Sequence, residues 1–131
     1  MVNSRQKGSA GERELARVLR ETLGVEARRG QQYSGSPDSP DVVTSLEGLH
    51  IECKRVEALS LYKALKQAIR DAGENEIPCV MHRKSREEWV VIIRLKDARR
   101  FAQIIGSTGK DDSPSSVGGV SSQERGNGLD P

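Results

Sequence analysis

Cysteine is scarce in this chain of 131 residues: there are two, Cys53 and Cys79. Each stands alone in an apolar, strand-like run, without the close pairing of ligands that a zinc site needs. Two buried, reduced thiols are expected instead. Long apolar runs are missing too. None approaches the roughly 20 residues that cross a bilayer, so no membrane association is expected. Met1–Lys7 has no apolar core of the kind a secretory signal carries, which points to a cytoplasmic protein. With 34% hydrophobic and 31% charged residues, the composition is that of a soluble globular chain. Its length suits one domain with a modest core.

The net charge of +2 is unevenly spread. Residues 106–131 hold two basic and four acidic side chains, which leaves 19 basic and 15 acidic residues in 1–105, a balance of +4. This last segment is rich in Ser, Gly, Asp and Pro and poor in apolar residues, the composition of a disordered tail. The folded domain is therefore expected at residues 1–105. Within it, basic residues crowd the first third (Arg5, Lys7, Arg13, Arg17, Arg20, Arg28, Arg29), as a polyanion partner would favour.

Ser9-Ala10-Gly11-Glu12 has the form of a capping box and predicts a helix opening at Ser9. Leu15, Val18, Leu19 and Leu23 continue it at helical spacing, and Gly24 ends it. Val25–Arg28 predicts a short strand. Gly30–Pro40 predicts a loop. Val42–Leu46 and Leu49–Lys54 predict a hairpin turning at Glu47-Gly48. Ser60 begins a second helix whose apolar stripe is Leu61, Leu65, Ala68, Ile69 and Ala72. Pro78–His82 and Trp89–Leu95 predict two more strands, and Lys96–Ile105 a third helix. The order α-β-β-β-α-β-β-α describes an α/β fold, a mixed sheet flanked by helices.

The chemistry concentrates in Pro40-Asp41 and Ile51-Glu52-Cys53-Lys54. With a two-residue turn, Leu46 faces Leu49, Val43 faces Glu52 and Asp41 faces Lys54. Directly opposed residues share a face, so Asp41, Glu52 and Lys54 project from one side, and Val42, Thr44, Ile51 and Cys53 from the other. Two carboxylates and an ammonium on a partly buried face carry a desolvation cost that a divalent cation explains. Magnesium takes a few hard oxygen ligands. Asp41, Glu52 and the Cys53 carbonyl supply them, while Lys54 offsets charge developing on a phosphate. Asp38, in a second Pro-Asp pair, is the rival of Asp41. Glu12 serves either as the third residue of the capping box or as support for the metal site.

Arg5-x-Lys7-Gly8-Ser9-Ala10-x-Glu12-Arg13-Glu14-Leu15, then Ser34-Gly35-Ser36, Pro40-Asp41-Val42-Val43, Ile51-Glu52-Cys53-Lys54 and Gln67 follow one another in an order that resembles the PD-(D/E)xK nuclease superfamily. Within it, the pattern resembles archaeal-type Holliday junction resolvases and related phage endonucleases. The resemblance spans residues 5–95. It implies a restriction-endonuclease-like fold, a homodimer, and magnesium-dependent phosphodiester cleavage in which manganese substitutes. For a phage-encoded protein the location becomes the host cytoplasm. Carried over by position, Glu12, Asp41, Glu52 and Lys54 form the catalytic set, with Ser36 and Gln67 as further catalytic contributors and Glu12 joining the metal ligands. The implied substrate is DNA, above all branched DNA.

Arg5, Lys7, Arg13, Arg28, Arg29 and Ser34 are the candidate phosphate contacts, which position a duplex without reading its sequence. Lys63, Lys66 and Arg70 are weaker candidates, and His82-Arg83-Lys84 weaker still. Tyr62 and Trp89 are expected to pack rather than to stack on bases. Two other functions stay open: a related nuclease with another DNA target, and a catalytically silent nucleic-acid-binding module.

Overall fold

The computed structural model of the protein describes residues 4–30 and 39–107, with side chains from Gly8 onward. Its elements follow the predicted order: α1 (Ser4–Leu23), β1 (Ala27–Arg29), β2 (Val42–Thr44), β3 (Leu49–Arg55), α2 (Leu61–Asp71), β4 (Ile77–Arg83), β5 (Val90–Ile92), a 3₁₀ turn (Leu95–Asp97) and α3 (Ala98–Gly106). The five strands lie in sequence order in one sheet. β1–β2, β2–β3 and β4–β5 are antiparallel, and β3–β4 is parallel. α2 makes the crossover that a parallel pair requires. None of the described helices is long and apolar enough to cross a membrane. Most of the tail expected at 106–131 falls outside the described residues.

The sheet has two different faces. On one, Leu15, Ala16 and Leu19 of α1 pack on Ala27, Val42, Ile51, Cys79 and Met81, with Phe101 of α3 and Trp89 partly buried against them. On the other, Ala64, Leu65 and Ala68 of α2 cover Val80. The apolar stripe of α2 is thus narrower than its spacing suggested. Leu61 and Ile69 are exposed because the helix lies over a face that is mostly polar, and Tyr62, expected to pack, is 74% exposed.

Two expectations need correction. The helix opens at Ser4 and not at Ser9, so Ser9 and Glu12 lie inside it and form no capping box. The hairpin turns over Ser45–Gly48 instead of two residues, and Val42 lies opposite Ile51. The register is therefore shifted by two positions from the expected one. An even shift keeps every side chain on its face, but it moves Asp41 away from Lys54 and next to Glu52.

Candidate active site

Alternation along β3 sends His50, Glu52 and Lys54 to the α2 face and Ile51 and Cys53 to the α1 core. Lys54 reaches Gln67 of α2, its Nζ donating to Oε1 at 3.2 Å. Glu52 is 3% exposed. Its Oε2 accepts from His50 Nε2 at 2.6 Å.

Asp41 arrives from β2, and its backbone is held twice. Its N–H donates to Ile51 O at 2.9 Å, and its carbonyl accepts from Gly30 N–H at 2.8 Å. Gly30 is required there. A Cβ on it would lie 2.1 Å from the Pro40 carbonyl oxygen. The Asp41 side chain then takes a ladder position: Oδ2 accepts the Cys53 backbone N–H at 2.8 Å. This bond fixes one oxygen of a carboxyl group that neighbours Glu52.

Burial, and next the charge of Glu52, push the Asp41 carboxyl up to about 7; the Cys53 N–H opposes them and Glu12 adds to them. Burial disfavours the charged form first, and a second carboxylate beside it adds to the rise. Lys54 does not relieve the crowding, since its ammonium is turned to Gln67. A pair of carboxylates is the hard-oxygen chemistry that a divalent cation would take, and the Cys53 backbone carbonyl would be a third oxygen of the same kind. Among the described residues no three His, Cys, Asp or Glu side chains converge, so the side-chain oxygens at hand come from this pair.

The cysteines are free, and burial pushes both thiols up to about 12, which keeps them protonated. A groove of about 670 Å³ runs elsewhere, on the α1 side among Leu15, Leu19, Met81, Trp89, Val91 and Phe101. Its lining is mostly apolar and has none of these oxygen donors.

Residues 3–111 match the family described as "Phage putative PDDEXK endonuclease". The chain belongs to that family. The nuclease is also similar in structure to Hjc, a Holliday junction resolvase from the archaeal hyperthermophile Archaeoglobus fulgidus, with 28% identity over 63% of this chain and 72% of that one and a TM-score of 0.48. No curated protein sequence matches it.

The remaining sequence candidates fall into three groups. Glu12 is near the site without joining the carboxylate pair: its Oε1 accepts from Arg29 Nε at 2.9 Å. α1 approaches β3 closely at this point, where Gly11 lies against Arg55 and a Cβ would meet the Arg55 Cβ at 2.7 Å. Arg29 is thereby tied to Glu12, whereas Arg13 and Arg28 are exposed on the nuclease surface. Arg5 and Lys7 sit on the first turns of α1, before the described side chains. Ser34, Ser36 and Asp38 lie outside the described residues.

Sequence reasoning missed His50 and the acidic residues behind it. Burial opposes charge on the ring, yet the hydrogen bond to Glu52 and the charges of Glu52, Glu76 and Asp71 outweigh it and raise the His50 pKa. A signal was present: His50 has the same strand parity as Glu52. A second cluster was also unforeseen, in which Arg55 and Arg83 share Glu14, and Glu57 binds Arg55 and Ser85. It ties the ends of β3 and β4 to α1. This engages Arg83 within the protein, and His82 Nε2 is paired with Val56 O at 3.0 Å.

Proposed function

We propose that the protein is a divalent-cation-dependent DNA endonuclease, magnesium being its ion and manganese a substitute, that acts on branched DNA in phage recombination or repair. The observation that carries the metal dependence is the Asp41–Glu52 pair, with a carboxyl pushed up to about 7 and the Lys54 ammonium turned to Gln67 instead of between the two. Asp41, Glu52 and the Cys53 carbonyl hold the cation. When bound, it supplies Lewis acidity toward a phosphodiester and lowers the pKa of water.

The chain's own residues supply the rest. Cys53 N–H and Gly30 N–H hold Asp41 in place. Gln67 keeps the Lys54 ammonium beside the site, where it offsets charge developing on the phosphate. Glu12 acts at one remove, adding negative potential at Asp41 and fastening Arg29. Ser34 and Ser36 contribute from the stretch of sequence that precedes Asp41. Arg5, Lys7, Arg13 and Arg28 contact phosphates on the flanks. The preference for branched DNA rests on the order of motifs from Arg5 to Gln67. Paired cuts across a junction need two sites facing one way, so the working form is a homodimer.

The test is a labelled immobile four-way junction beside a matched linear duplex, each with magnesium and with EDTA, and with Glu52→Gln as control. Magnesium-dependent paired nicks in the junction alone are the expected result. Equal cutting of both substrates would keep the nuclease and discard the branch preference. Binding without cutting would mark a catalytically silent module.

A further inference from the structure

A carboxylate as deep as Glu52, 3% exposed, needs a compensating partner. That partner is His50, 1% exposed and on the same face of β3. The ring donates from Nε2 to Glu52 Oε2. Behind it, Nδ1 faces Glu76 Oε1 at 3.6 Å, and that oxygen in turn accepts the Gly73 backbone N–H at 2.7 Å. A chain of contacts therefore runs from the turn after α2, through Glu76 and His50, to Glu52.

We propose that His50 is a positioning residue for Glu52: it takes Oε2, so that Oε1 stays available to the cation beside Asp41. The inference rests on the cation-binding function proposed above. The terminal torsion of a glutamate is broad and roughly two-fold. A ring that fixes one oxygen removes that freedom. Partners of this kind behind a metal ligand are worth 10–100-fold in affinity. Glu76 has the lesser part: at 3.6 Å it acts on the ring through its charge and not through a hydrogen bond.

The experiment is calorimetric titration of Mn²⁺ into the full-length protein at fixed pH, comparing wild type, His50→Gln, His50→Asn and Glu76→Gln. Asp41→Asn reports loss of the site itself. Far-UV circular dichroism and melting in EDTA report folding separately. Gln carries an N–H group near the position of Nε2, whereas Asn is too short to reach Glu52. His50→Gln is expected to bind within about threefold of wild type, His50→Asn about 10–100-fold more weakly, and Glu76→Gln a few-fold more weakly. A folded His50→Asn that binds like wild type would overturn the proposal. Equal losses in the Gln and Asn variants would do the same, because they would show that the ring acts by packing. If His50→Asn does not fold, the other two variants decide. Retained affinity in His50→Gln with weakening in Glu76→Gln supports the role, and unchanged affinity in Glu76→Gln refutes it. A wild type that binds no Mn²⁺ would overturn the cation function, and the role of His50 with it. A wild type that binds while no His50 or Glu76 variant differs would overturn the role of His50 alone.

Discussion

The two faces of the sheet are built from the same strands and do opposite things. The α1 face is a continuous apolar layer in which Leu15, Val42 and Ile51 are each 1% exposed. The α2 face has a small apolar patch around Val80 and, next to it, the row His50, Glu52, Lys54. Alternation makes this possible: one seven-residue strand, β3, supplies the core with Ile51 and the site with Glu52. Stability and the proposed chemistry thus lie on opposite sides of one backbone, and a substitution on either side should reveal which it serves.

The sharpest break is Asp41→Asn. Divalent-dependent cleavage should vanish, while the melting midpoint without metal at pH 8 rises, because a buried like-charge contact has gone. A gain of about 1 kcal/mol corresponds to roughly 4–8 °C in a domain of this size. Gly30→Ala comes next. The added Cβ pushes on Pro40 O and displaces Asp41, and a misplacement of about 1 Å costs roughly a hundredfold in rate, to be measured as single-turnover cleavage by folded protein. Leu15→Ala acts on the other face. It should cost about 2–5 kcal/mol in denaturant unfolding and leave the Mn²⁺ affinity of the folded fraction unchanged. The smallest effect is a pH slope. Asp41 holds its proton up to about 7 in the metal-free fold, far above the 3.8 of an unperturbed aspartate. The folded state therefore binds more protons than the unfolded chain between those values, and metal-free stability falls as pH rises from about 4 to about 7. The raised pKa of His50 acts in the same direction. Saturating divalent cation should flatten the Asp41 part, and Mn²⁺ affinity should rise about tenfold per pH unit below about 7 as one proton is displaced.

The face-sharing of Asp41, Glu52 and Lys54 was legible in the sequence because it depends on strand parity. A register shifted by an even number leaves parity intact, so a wrong turn length still put the carboxylates together. The partner of Asp41 was not legible, since turn length sets it. The start of α1 was misread for another reason. Ser9 and Glu12 have capping-box spacing, but the helix had already begun at Ser4, and Glu12 is spent on Arg29, 17 residues away. A pairing of that kind depends on how α1 crosses β1, which local spacing does not encode. His50 went unnoticed because a single histidine in a strand has no motif. Its meaning comes from Glu76 and Asp71, which the α2 crossover brings behind it.

The hydrogen bond from Gly30 to Asp41 closes the ends of the intervening ten residues, 31–40, into a clasp. Whatever those residues do, the clasp separates them from the position of Asp41. Residues 31–38 can be exchanged for a longer or differently charged stretch without moving Asp41, because the clasp that anchors Asp41 lies outside the exchanged segment.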